Sequence, residues 1–340
     1  MNKRRWAAVG IAVFLLIFSA VTSTVTRVRE TSESMSQMNE LLYGNGEPSE
    51  TILETGSSTQ KIAKLTIEGT ILNTGTSGLF SSAGYNHETF MKQLETVKND
   101  STIEGVLLVV NTPGGAVYET AEITKELREI EESVPVYVSM ENQAASGGYY
   151  VSANAEKIFA SEDTVTGSIG VIMSGTNYSG LMEKLGISDT TVKSGELKDI
   201  GSSSRPQTEK DREVLQAYID SSYDRFVKVV AEGRDIKEDR VRELADGRIY
   251  DGAQALENGL IDEIGYPEDA LEALKKDKDL SDAQVVEYTD GSTDFVNSWL
   301  GSQLAEIQNL KPSEEQQIAN IIEQVGTPQS PKAMYLYGGE

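Results

Sequence analysis

The sequence predicts an α/β domain over residues 58–290, layered around a sheet of mainly parallel strands. Three observations carry this. Strand-like and helix-like patterns alternate from Lys61 onward. Two segments, "IEGVLLVVN" and "VPVYVSM", are continuous apolar runs of strand length, the pattern of strands covered on both faces. A weak repeat links them: "VLLVVNTPGG" and "VYVSMENQAASGG" each run from a buried strand through a polar loop to a glycine pair and a helix.

In chain order, "KIAKLTIEGTI" alternates apolar and polar residues as a strand does. "HETFMKQLETVKND" is an amphipathic helix with Phe90, Leu94 and Val97 on one face. The strand at "IEGVLLVVN" leads to a helix at "VYETAEITKELREIEES", and "VPVYVSM" to a short, small-residue helix at "SGGYYVSANA". "EKIFASE" reads as a strand. "YSGLMEKLG" reads as a helix stopped by Gly186, followed by an apolar strand ending at Lys193. "TEKDREVLQAYIDSSYDRFVKVVAEGR" is a long helix, and two shorter ones follow at "KEDRVRELADG" and "DGAQALENGL".

Both ends differ from this body. Residues 6–26 carry no charge across a length that spans about 30 Å as a helix, the thickness of a bilayer's hydrocarbon layer. Lys3, Arg4 and Arg5 precede the run. Residues 1–29 therefore read as a cytoplasmic stub and a single-pass plasma-membrane anchor, amino terminus inside and body outside. A cleaved signal peptide is the rival, and "FSAVTS" makes a poor cleavage site for one. Residues 30–57 are polar and rich in Ser, Glu and Gly, as in a flexible tether. Residues 291–340 form a helical extension closing in "KAMYLYGGE". That uncharged, strand-prone tail is either an edge strand or frayed end, or a strand that adds to a cleft of its own chain or a neighbour's.

Composition removes several classes of function. The 340 residues carry a net charge of -24, and all 54 acidic residues lie at or beyond Glu30. Such a surface repels phosphate backbones, so nucleic acid is not an expected partner. There is no cysteine, hence no disulfide, thiolate metal site or thiol nucleophile. The one histidine, His87, sits in a polar stretch and reads as an ordinary loop or helix-start residue. No cofactor motif and no metal-binding loop is present.

The chemistry therefore rests on the two glycine loops. Consecutive strand–loop–helix units bring such loops to one edge of the sheet, where α/β folds bind ligands. In "NTPGG", Pro113 shapes the turn, and Gly114 or Gly115 can aim a backbone N–H into the cleft. In "AASGG", Ser146 stands at a helix start, where it is either a nucleophile flanked by free N–H groups or simply a small residue. A serine nucleophile needs a base, and with histidine set aside lysine remains. Bringing a lysine to neutrality near pH 7–8 requires about 4 kcal/mol of differential interaction. Lys193 and Lys198 in "TTVKSGELKDIGSSSRP" are the candidates, and the residues alone do not choose between them. Glu196 and Asp199 flank Lys198 and would oppose the role unless they point elsewhere.

The ordered run "NTPGG … AASGGYYVSANAEKIFA … TGSIGVI … VKSGELKDIGSSSRPQT … DGRIYDGAQALENGLID" resembles the signal peptide peptidase A family in its short, single-domain bacterial form. The resemblance covers residues 60–275 and the anchor. It implies a crotonase-like, Clp-protease-like fold of repeated ββα units and a Ser/Lys serine protease. It further implies Ser146 as nucleophile, Lys198 as general base, Ser168 as the residue holding the lysine amine, and Gly114 and Gly115 as oxyanion donors. The expected substrates are apolar peptides, chiefly signal-peptide remnants. The expected assembly is a homo-oligomeric ring in which Ser146 of one chain meets Lys198 of the next. Two other readings compete: a crotonase-type acyl-CoA enzyme with a carboxylate base, and a non-enzymatic membrane scaffold.

Overall fold

The computed structural model describes residues 48–73, 85–290 and 332–338. The apolar run 6–26, most of the tether and the helical part of the extension lie outside the described residues. Among the described residues, no helix is long and apolar enough to cross a membrane. The elements in chain order are β1 (Pro48–Glu54), β2 (Ser57–Glu68), α1 (His87–Asn99), β3 (Ile103–Thr112), β4 (Gly114–Ala116), α2 (Val117–Glu131), β5 (Val136–Ala145), α3 (Gly147–Ser152), β6 (Lys157–Ala160), β7 (Val165–Gly167), α4 (Ser179–Lys184), α5 (Glu209–Arg234), α6 (Glu238–Leu244), β8 (Ile249–Tyr250), α7 (Gly252–Glu257), β9 (Glu263–Ile264), α8 (Pro267–Asp277), β10 (Ala283–Asp290) and β11 (Met334–Leu336).

The class expected from the sequence, mixed α/β around a large parallel sheet, is what folds. The main sheet runs β1-β10-β2-β3-β5-β6-β9, with β7 on β5 and β8 on β7. Pairs β10–β2, β2–β3, β3–β5, β5–β6, β5–β7 and β6–β9 are parallel, and β7–β8 is antiparallel. The run "VLLVV" on β3 is apolar throughout because each face meets its own core. Val106, Leu108 and Val110 pack with Leu94, Leu127, Tyr149 and Phe226. Leu107 and Val109 pack with Tyr137, Phe159 and Leu274 on the opposite face. Phe90, Leu94 and Val97 are the buried face of α1, as their spacing predicts.

Three expectations need correction. The sheet starts earlier than position 58: Pro48–Glu54 pairs with β10 as an edge strand, so the stretch assigned to the tether contributes its last residues to the sheet. No strand precedes Lys193. Residues 187–193 are exposed and irregular, Val192 being 97% accessible. Their apolar side chains have nothing to pack on in one chain, and an edge without a partner strand leaves its backbone to water. Finally, α8, which the sequence reading passes over, covers the second core through Ala270 and Leu274.

One half-buried carboxylate makes the fold sensitive to pH. Glu131 closes α2 at the helix's negative end, and Arg128 one turn earlier offers little relief. Burial pushes its carboxyl up to about 7. A carboxyl whose value is raised on folding stabilises fully below its unfolded value and loses that contribution as pH rises through 7. Glu131→Gln is therefore expected to gain about 1–2 kcal/mol at pH 8 and almost nothing at pH 4.5. Denaturant titrations at the two pH values check this.

Candidate active site

Three parallel strand ends set the site. Register pairs Thr112 of β3 with Ala144 of β5, and Ala145 of β5 with Gly167 of β7. The loops that follow, at Gly114–Gly115, Ser146 and Ser168, therefore leave the sheet side by side. The two glycine loops touch through bare backbone. A Cβ on Gly114, whose φ is +100°, would lie 2.6 Å from the Gly147 nitrogen. A Cβ on Gly147 would lie 3.1 Å from Gly114 Cα and from the Gly115 nitrogen. The edge expected from the sequence repeat is thus formed.

Ser146 is 1% exposed and sits at φ 52°, a left-handed conformation that a non-glycine residue adopts only under constraint. Its N–H donates to Gly167 O at 2.8 Å, and its carbonyl accepts from Tyr150 N at 2.9 Å. Its hydroxyl caps no helix N–H. Ser168, at φ 48°, is held by its N–H donating to Arg248 O at 2.8 Å. Two serines thus hold constrained backbone at adjacent strand ends. Thr120 Oγ1, buried and without a partner among the described residues, borders the same point, 3.0 Å from where a Gly147 Cβ would be.

The glycine pair divides its work. The Gly114 N–H donates to Thr112 Oγ1 at 3.0 Å and is not free for an oxyanion. A Cβ on Gly115 would strike Ile71 O at 1.9 Å, because the chain at Ile71 runs along β4.

The carboxyl-terminal tail occupies the open side of β4. Strand β11 pairs with it antiparallel, Met334 with Ala116, Tyr335 with Gly115 and Leu336 with Gly114. On its other edge, Met334 N–H donates to Ile172 O at 2.9 Å and Ile172 N–H to Met334 O at 3.0 Å. Tyr337 N–H donates to Pro113 O at 2.8 Å. The tail is thus an inserted strand, with main-chain bonds on both edges. Its carbonyl at Tyr335 passes where a Gly114 Cβ would be, within 2.0 Å of that point. Glycine is required there by a peptide carbonyl and by the Gly147 nitrogen together. The Tyr335 side chain is fully buried, stacks on Tyr150 at 4.9 Å, meets Phe226 edge-on at 4.9 Å, and donates its hydroxyl to Ser222 O at 3.0 Å. Tyr150, buried on α3, is core and pocket wall at once. Phe226 and Ser222 escape the sequence reading because they arrive from α5, remote in the chain.

Lys198 does not join this group within one chain. It lies exposed in the segment between α4 and α5, and its amine has no hydrogen bond or ion pair among the described residues. Lys193, the other candidate, is tied to Asp199 at 2.7 Å. His87 begins α1, as expected, with both ring nitrogens engaged, by Tyr85 and by Glu122.

Comparisons with known proteins bear on the family. Residues 128–281 match the model described as peptidase family S49. A protein of Enterococcus faecium, provisionally named signal peptide peptidase SppA, is 50% identical over 343 residues, covering all of both chains. A provisionally named protease of Methanocaldococcus jannaschii is 37% identical over 281 residues, 82% of this chain and 84% of that one. Among solved structures, a ClpP1 mutant from Listeria monocytogenes aligns with 61% of this chain and 94% of its own, at 17% identity and a TM-score of 0.39.

Removing residues 331–340 should open the groove. The apparent KM for an apolar peptide is expected to fall several-fold with kcat nearly unchanged, and Tyr335→Ala should do the same in part. Steady-state kinetics on the two variants measure this. An unchanged KM in both would rule out competition by the tail.

Proposed function

We propose, from the premise that this chain belongs to peptidase family S49 and is a serine-type peptidase, that it is a membrane-anchored endopeptidase whose nucleophile is Ser146 and whose general base is Lys198. Family membership sets aside the acyl-CoA enzyme and the non-enzymatic scaffold. The observation that carries the finer reading is the inserted tail: an extended peptide lies along β4 with its carbonyl against the loop that begins at Ser146.

In this reading Ser146 Oγ attacks the substrate carbonyl carbon while Lys198 Nζ takes its proton. The Gly115 N–H stabilises the oxyanion. Protonated Lys198 then gives its proton to the leaving amine, and water repeats the sequence to release the acyl group. Ser168 holds the lysine amine in line. Substrates bind as the tail does, by strand addition, with an aromatic or large apolar side chain in the pocket of Tyr150 and Phe226. Signal-peptide remnants are apolar peptides of this kind, and an anchor at residues 6–26 would keep the site near the bilayer that releases them.

The base comes from a neighbouring chain in this proposal, within a ring of the Clp-protease-like type. Ser146 is buried among its own chain's groups, whereas Lys198 is exposed on a segment presenting Leu181, Leu185, Ile187 and Val192 to solvent. A second copy would cover that apolar surface and receive the lysine.

Ser146→Ala and Lys198→Ala are each expected to lower kcat by about 10³-fold or more. Mixed in equal amounts before assembly, the two inactive variants should recover roughly a quarter of wild-type activity, the share of neighbour pairs that unite an intact serine with an intact lysine. The kcat/KM of the wild type should rise from neutral to alkaline pH as the lysine loses its proton. Full activity in either single variant would dismiss the dyad. No recovery on mixing would place both residues in one chain.

A further inference from the structure

A lysine that must be neutral is an odd neighbour for two carboxylates, yet Glu196 and Asp199 both flank Lys198. The structure pairs both with cations other than Lys198. Asp199 is gripped by two cations. Lys193 Nζ donates to its Oδ1 and Oδ2 at 2.7 and 2.8 Å, while Arg205 donates through Nη2 to Oδ1 at 2.8 Å and through Nε to Oδ2 at 3.0 Å. Arg205 reaches on to Asp211 with Nη2 on Oδ1 at 3.0 Å and with Nη1 on Oδ2. Asp211 is buried in the first turn of α5, where it and Thr208 cap the helix reciprocally. Glu196 receives Lys210 from α5 at 2.8 Å.

The charges around Lys198 can therefore be followed group by group. Lys193 and Arg205 balance Asp199 and Asp211. Lys210 balances Glu196, with Glu213 nearby on α5. Asp189 is the acid of the segment without a cation in this set, and it holds the Thr191 and Ser204 hydroxyls instead. The paired cations hold Asp199 and Asp211 well below the usual carboxylate range, so both remain anionic, and already engaged, at any working pH. A free carboxylate beside Lys198 would favour its charged form.

We propose that Lys193 and Arg205 are positioning residues for proteolysis: together they sequester the Asp199 carboxylate so that Lys198 can stand neutral, and Arg205 also anchors the lysine-bearing segment to the start of α5. This rests on the reading of Lys198 as the general base. The bidentate fork matters for the second task, because a planar guanidinium bridges two carboxylates at fixed angles and an ammonium does not.

The test is the pH dependence of kcat/KM for the full-length chain on a fluorogenic apolar peptide. Lys193→Met should move the midpoint of the alkaline rise upward by roughly 0.5–1 pH unit, with the plateau within about threefold of wild type. Lys193→Met combined with Asp199→Asn restores the charge balance and should bring the midpoint back. Arg205→Met should show the same shift and a lower plateau. Adding Asp199→Asn to it should recover the midpoint but not the plateau. A plateau loss with an unmoved midpoint in Lys193→Met would overturn the proposal, as would a double variant that stays shifted. Lys198→Ala serves as the reference. If it is inactive while Lys193→Met keeps the wild-type midpoint, only this inference falls. If it is active, the dyad itself falls.

Discussion

Three stretches of backbone meet at Gly114 and Gly115 with no side chain between them, and the rest of the site is arranged around that contact. At Gly114 the space of a Cβ is taken by the carbonyl of Tyr335 and the nitrogen of Gly147. At Gly115 it is taken by the carbonyl of Ile71. Any side chain at either position would have to displace main chain, which cannot yield as a flexible side chain does. The contact requires β3 and β5 to end together, and the register of Thr112 with Ala144 provides this. It also leaves β4 with one open edge, which an extended peptide can fill by main-chain bonding. Catalysis and peptide binding in the proposed mechanism both use that edge.

The parts of this arrangement legible in the sequence are those written in local patterns. Apolar runs bounded by glycine pairs identify β3 and β5 because burial on both faces leaves no room for polar residues. Ser146 stands out by its place before a glycine pair, and the tail by its strand-forming residues. Its seat on β4 is not legible, since pairing across more than 200 positions leaves no periodic trace. Nor is the commitment of the Gly114 N–H to Thr112, a matter of side-chain reach. The failure at Lys193 has a different cause. Apolar residues before it signal burial, and the signal is sound in proteins that bury them in their own core. Here Ile187 and Val192 lie on the surface of a single chain, so a strand is the wrong inference from a true hydrophobic demand.

That demand and the electrostatics belong to one design. The segment between α4 and α5 cannot draw rigidity from a core, because its apolar side chains face outward. Ion pairs through Arg205, Asp199 and Asp211 fasten it instead, the last of these acids buried at the helix start. Exposed ion pairs contribute little singly. A guanidinium shared between two carboxylates, one of them tied into a capping box, is geometrically stricter than a lone surface pair. In the proposed ring the segment is thereby presented as a preformed shape, and the entropic cost of ordering it is met before the neighbouring chain arrives.

In the proposed mechanism, a groove that binds its own chain's tail sets a threshold for other peptides. A segment tethered to the same molecule competes at an effective concentration in the millimolar range for short flexible links, and less as the link lengthens. The tail spends much of its binding strength on backbone bonds to β4 and Ile172, which every extended peptide can copy. Its specific share is the Tyr335 ring between Tyr150 and Phe226. A polar peptide matches only the shared part and loses to the tethered tail. A peptide with an aromatic or large aliphatic residue at that position surpasses it. In that reading, selection for the proposed apolar substrates needs no elaborate pocket. It follows from the difference between what every strand offers β4 and what only such a side chain can offer the two rings.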